Sequence, residues 1–184
     1  MAKAACKPEL DDAGQLVVDG HAQALSFSRD RHFRLPRLAV WPYRSDAVLV
    51  ADKPRRRINQ GNAPGGTLWL VACDGLLPPI ALYREAGADF GNAALSADHA
   101  ALYYSGPMGI AALDLSRRTT TAVTIAPPLH DDRCQPLYGA RAPTHHTDLV
   151  RSLDRKGRLR IERGSHCGFE GNWDGERQVI GKAV

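Results

Sequence analysis

Residues 95–106 decide the fold. They read Leu95-Ser96-Ala97-Asp98-His99-Ala100-Ala101-Leu102-Tyr103-Tyr104-Ser105-Gly106. A short apolar run meets a cluster of Ser, Asp and His, and an apolar, aromatic run follows. That is strand, tight turn, strand. The pattern continues through a Gly106-Pro107-Met108-Gly109 turn into Ile110-Ala111-Ala112-Leu113-Asp114-Leu115. Ser116-Arg117-Arg118 then turns the chain into Ala122-Val123-Thr124. The same order occurs upstream. Trp41-Pro42 precedes a turn, Ala47-Val48-Leu49-Val50 follows, and a loop leads to Gly66-Thr67-Leu68-Trp69-Leu70-Val71. Asp74-Gly75 then makes a turn before Ile80-Ala81-Leu82. A weaker third copy begins near Leu149, with Ser152-Leu153-Asp154 ahead of Gly157 and Leu159-Arg160-Ile161. A unit of short strands buries its faces against copies of itself, so this repetition predicts stacked sheets.

Outward from the repeat, Gln15-Leu16-Val17-Val18 reads as a strand turning at Asp19-Gly20. Ala24-Leu25-Ser26-Phe27 is its returning partner. Residues 148–153 and 158–162 alternate apolar and charged positions around a turn at 154–157, and Gln178-Val179-Ile180 reads as a last strand. Residues 53–66 hold Pro, Gly and Asn without periodicity and read as a long exposed loop. Residues 129–147 read as irregular. The chain has 184 residues, with 17 Gly and 12 Pro spread along it, which argues against long helices. The organisation expected is a flexible lead-in over 1–12 and a single all-β domain over 13–184. No apolar run approaches the roughly 18 residues of a membrane helix, so no membrane span is expected.

The residues quoted for the two copies resemble the blades of a TolB-type β-propeller. The resemblance covers residues 37 to about 125 and implies blade architecture, without specifying a function. The usual Pro-Asp-Gly turn is replaced by Tyr43-Arg44-Ser45-Asp46 and by Ala97-Asp98-His99. A closed propeller has roughly 4–8 blades of four strands, and this chain has room for three or four. The fold class expected is therefore all-β, a small or incomplete β-propeller-like stack of antiparallel sheets. A dimeric ring is one way to complete it, and a β-sandwich is the alternative.

Formal net charge is +4, and the excess is local. Residues 29–57 carry nine Lys or Arg against three Asp, and residues 151–163 carry six against two. The rest of the chain is net acidic. Arg55-Arg56-Arg57 puts three guanidinium groups on a loop, where they stay solvated or meet an acidic partner. The N-terminus lacks the apolar core of a secretory signal, so the chain as written reads as cytoplasmic. Ala4-Ala5-Cys6 resembles the end of a bacterial lipoprotein processing site, and a chain trimmed just before a mature lipoprotein would be periplasmic.

Metal-ligating types crowd the last third of the chain. His130, Cys134, His145 and His166 are the residues a site would draw on, beside His146 and Cys167. Their spacing fits no standard zinc signature, and no metal or other cofactor is expected. There is no Gly-x-Ser-x-Gly elbow and no phosphate-binding glycine loop. Four cysteines, Cys6, Cys73, Cys134 and Cys167, allow three complete disulfide pairings, among which sequence does not choose. With no catalytic constellation, the chain reads as a non-enzymatic protein that binds another macromolecule, as an inhibitor or immunity-type protein does. Arg55, Arg56, Arg57, Trp41 and Tyr43 are the contact residues expected, Arg and aromatic side chains being common interface anchors. The alternatives are a metal- or His-dependent hydrolase or lyase, and a nucleic-acid binder using the Arg-rich segment.

Overall fold

The structure, a computed structural model, describes residues 6–27, 37–53, 66–107, 109–123, 144–154, 158–167 and 174–182. Among them the chain is all-β, without a helix, in antiparallel sheets. The strands are β1 (Glu9–Leu10), β2 (Gln15–Val18), β3 (His21–Ser26), β4 (Arg37–Arg44), β5 (Ala47–Lys53), β6 (Thr67–Ala72) and β7 (Ile80–Arg84). They continue as β8 (Asp89–Leu95), β9 (Ala101–Gly106), β10 (Gly109–Asp114), β11 (Thr119–Ala122), β12 (Thr144–Leu153), β13 (Arg158–Cys167) and β14 (Asp174–Lys182). Four sheets form, with orders β1-β2-β3, β4-β5-β6-β7, β11-β10-β9-β8 and β12-β13-β14. Every strand pairs with its neighbour in sequence, so each sheet is a meander. Both copies of the repeated unit are four-stranded meanders.

Two compact units divide the chain, Met1–Asn92 and Ala93–Val184. In the first, the three-stranded sheet packs on the four-stranded one. Leu16 and Val18 of β2 meet Val48 and Val50 of β5 and Val71 of β6, with Leu25, Phe27, Leu38 and Trp69 around them. Val48 and Val50 are alternate residues and share a face, because strand side chains alternate sides. The opposite face of β5 is also buried, since Leu49 is fully covered. Residues 47–51 are therefore all buried, as expected for a central strand flanked by β4 and β6. Pro42 sits in β4, at the sheet edge, where its missing N–H costs no ladder bond.

In the second unit, Ala94, Tyr103 and Ile110 pack on Val150, Leu159 and Ile161. The backbone N–H of Val150 also donates to the buried Ser105 Oγ at 3.2 Å, which satisfies a polar group inside this contact. The turn at residues 96–100 shows how the chain does without the usual glycine. His99 takes a left-handed conformation at φ 59°. Ser96 Oγ donates to Asp98 Oδ1 at 2.6 Å, and the Ala100 N–H donates to the same oxygen at 3.1 Å. These two donors hold the Asp98 carboxyl below the usual carboxylate range.

Three differences from the sequence reading stand out. Residues 144–147, read as irregular, are the start of β12, because the ladder with β13 continues to Thr144 opposite Cys167. The strand β8 begins at Asp89, several residues before the Ala93-Ala94-Leu95 run that marked it. Its Gly91-Asn92 dipeptide has low strand propensity, which neighbouring strands override. The stretch read as a lead-in carries β1, paired with β2 through Glu9 opposite Val17 and Leu10 opposite Leu16.

Leu16→Ala tests the first core. Loss of a fully buried leucine is expected to cost about 2–5 kcal/mol, read as a lower urea midpoint with an unchanged slope.

Candidate functional site

One end of the β4–β7 sheet is built from the β4–β5 turn and the β6–β7 connection, residues 73–79. The Cys73 N–H donates to the Asp46 carbonyl at 2.7 Å, which ties the two loops together. Cys73 is disulfide-bonded to Cys6, 67 residues earlier. Inside the loop, the Leu76 N–H donates to Asp74 Oδ1 at 3.0 Å, a local turn that the Asp-Gly pair favours. Gly75 has φ +67°, and a Cβ there would lie 2.6 Å from the Val18 carbonyl oxygen. Only glycine allows the loop to approach the β2–β3 hairpin this closely. Gln23, itself buried, donates through Nε2 to the Gly75 carbonyl at 2.7 Å and to the His21 carbonyl at 3.1 Å. The loop is thus held by a covalent bond, a glycine contact and a buried amide.

On that rigid frame the loop displays apolar side chains. Leu76 is 72% exposed, Leu77 61% and Ile80 55%. Scattered exposed leucines are ordinary. Leu76 and Leu77 on the fixed loop and Ile80 at the start of β7 are three exposed apolar side chains within five residues, and clustered exposed apolar side chains mark interaction surfaces. Tyr43 lies at the same end of the sheet, one residue before Arg44, which pairs with Ala47 beside the β4–β5 turn. The Arg44 guanidinium sits 5.0 Å from the Tyr43 ring centroid.

Trp41 lies further up the same strand, opposite Leu49, and is half-buried. Arg55, Arg56 and Arg57 lie outside the described residues. Their described flanks, Lys53 and Gly66, belong to the other end of the sheet, about 20 Å of strand from Ala47. Trp41 and Tyr43 therefore share a strand, and the described flanks of the arginine segment stand away from Tyr43. His130 and Cys134 also fall outside the described residues. His145 and His166 are register partners across β12 and β13; their side chains lie outside the description. Among the described residues, no three His, Cys, Asp or Glu side chains converge as metal ligands.

No family model, curated protein or solved structure matches this chain. What the site can do follows from its own residues.

The Lys53 and Gly66 end of the sheet holds a second feature that the sequence reading missed. A cleft of about 190 Å3 is lined by residues that include Phe27, Asp52, Thr67, Trp69 and Phe90. Asp89, next to Phe90, is only 1% exposed. Its carboxylate accepts from the Asn92 side chain at 2.7 Å and from the Asn92 N–H at 3.2 Å. Burial pushes the Asp89 carboxyl up, against the lowering by Asn92, Gly91 and Lys53. Burial also pushes Asp52 up, and repulsion from Asp89 adds to it. Two carboxyl groups thus share a poorly solvated corner. Neither aspartate stands in a recognisable motif, so only the fold reveals the pair.

Two predictions follow from these ends of the sheet. Reducing Cys6–Cys73, or replacing it by Cys6→Ser with Cys73→Ser, is expected to lower stability by about 2–5 kcal/mol in urea unfolding. Asp52→Asn is expected to raise the urea midpoint at about pH 7 and to change it little at about pH 3.5. The sign follows from the raised carboxyls. Their contribution to stability is fullest below the ordinary value of 3.8 and is lost as pH rises through the raised values. Comparing variant with wild type at each pH cancels the opposite contribution of Asp98 and other lowered carboxyls.

Proposed function

We propose that this protein is a binding protein that docks another protein on the 73–80 loop. The observation that carries the reading is the display of Leu76, Leu77 and Ile80 on a loop tied down by Cys73, Gly75 and Gln23. A loop already fixed in one conformation loses little entropy when a partner covers it, so its apolar area contributes more fully to affinity. Tyr43 beside Arg44 adds the residue types that recur as interface anchors. Blade-like meanders support the resemblance to TolB-type propellers, in which loops at one end of the stack are free to recognise partners. An inhibitor or immunity-type role is one form of such binding, motivated by small size and local charge. The Arg55-Arg56-Arg57 segment is a second contact in this reading, suited to an acidic partner surface.

The Cys6–Cys73 bond supports an oxidising compartment, periplasmic or extracellular, in preference to the cytoplasm. A sulfur held in a disulfide is not the sulfur of a lipid thioether, so this bond favours a form of the protein without a lipid on Cys6. No helix among the described residues is long and apolar enough to cross a membrane.

The test is a double variant, Leu76→Asp with Leu77→Asp, used beside wild type as bait in extracts of the source cell. Both side chains face solvent, so the unfolding free energy read from urea denaturation should stay within about 0.5 kcal/mol of wild type. A partner retained by wild type is expected to lose about tenfold or more in affinity for the variant. An identical set of retained proteins at equal affinity would rule out the loop as the docking surface.

A further inference from the structure

We propose that the cleft beside Asp52 binds a small organic cation, an alkylammonium or alkylguanidinium group, between the Asp52 carboxylate and the aromatic side chains of Phe27, Trp69 and Phe90. This site lies at the other end of the sheet from the 73–80 loop and does not depend on that loop's role. Its walls come from four places in the chain. Phe27 follows β3, Asp52 ends the buried run of β5, and Trp69 sits on β6. Phe90, on β8, closes it and stands edge-on to Tyr83 at 6.1 Å between centroids.

The charge inside the cleft selects the ligand. Asp52 has no hydrogen bond or ion pair among the described residues, whereas Asp89 is engaged with Asn92. Of the nearby cations, Lys53 acts on Asp89, and the Arg84 guanidinium sits 5.8 Å from the centroid of Trp69, itself on the cleft wall; neither pairs with the Asp52 carboxyl among the described residues. An anion would meet the Asp52 carboxylate on the wall, with that of Asp89 close behind it. A neutral apolar ligand would strip water from the Asp52 carboxylate and return no compensating interaction. A metal ion would need more ligands than the described residues bring together. An organic cation answers each requirement. Its charged head pairs with Asp52, and its hydrocarbon part and diffuse charge lie against ring faces, which attract cations. The hydroxyls of Ser26 and Thr67, also on the wall, accept from its N–H groups. At about 190 Å3 the cleft is below the roughly 300–1,000 Å3 of sites for drug-sized molecules, which sets the ligand's size.

The experiment is a titration of the whole protein, followed by the indole N–H resonance of Trp69. The probes are n-butylammonium and n-butylguanidinium, with n-butanol and butyrate as neutral and anionic comparators of the same chain length. The cations are expected to shift the resonance saturably and to compete with one another. n-Butanol should bind about tenfold more weakly or worse, and butyrate weaker still. Asp52→Asn keeps the side-chain shape and should weaken the cations about tenfold without weakening n-butanol. Phe27→Leu keeps the cleft apolar and should weaken the cations severalfold. Equal binding of n-butanol and n-butylammonium would overturn the proposal. So would undiminished cation binding by Asp52→Asn, or no saturable shift with either cation. Should Asp52→Asn fail to fold, Phe27→Leu and the n-butanol comparison decide alone.

Discussion

Five successive side chains of β5, residues 47–51, are buried on both faces of one strand, and the first unit is arranged around that constraint. A strand buried on both sides has to be apolar throughout, and its backbone needs ladder partners on both edges. β4 and β6 supply the ladders. Val48 and Val50 then require a partner sheet, and Leu16 and Val18 of the β2 strand fill that role. Each fully buried aliphatic side chain of this kind contributes about 1.5–3 kcal/mol, so the contact is a main source of the unit's stability.

The two ends of this strand have different chemistry for the same reason. At Ala47 the chain has just left a turn, and the neighbouring β6–β7 connection is drawn in by Cys73, Gly75 and Gln23. Leu76 and Leu77, on that tethered connection, face solvent. At the other end the buried run stops at Asp52. The first carboxylate after five apolar residues is only partly released to solvent, and Asp89 lies close enough to repel it. Rigidity with apolar display at one end, and a polar cleft at the other, are consequences of one central strand.

Much of the strand pattern was legible from the residues. Ala47-Val48-Leu49-Val50 and Thr67-Leu68-Trp69-Leu70 are β-branched or apolar runs bounded by turn residues, and both are strands. Asp19-Gly20 and Asp74-Gly75 announce turns, because both pairs tolerate positive φ. The start of β8 was less legible, since Asp89 to Asn92 lacks strand formers and is held by its neighbours. The candidate sites were less legible still. Tyr43 was singled out for its residue type and lies at the same end of the sheet as the 73–79 connection, but Leu76 and Leu77 carry no signal of their own, and Ile80 reads as part of a strand. Their exposure is a property of the packed state.

Local spacing by itself determined that this chain is all-β, with its strands in antiparallel meanders repeated along the sequence. The physical reason is that side-chain alternation and turn chemistry act over two to six residues, and such distances are written directly in the sequence. Only the tertiary structure decided that Cys6 bonds Cys73, that Gln23 holds Gly75, and that Asp52 and Asp89 share a corner beside three aromatic rings. Each of those pairings joins residues far apart in the chain. Whether such residues meet depends on which sheet faces pack together, a choice made by the whole core rather than by any local run.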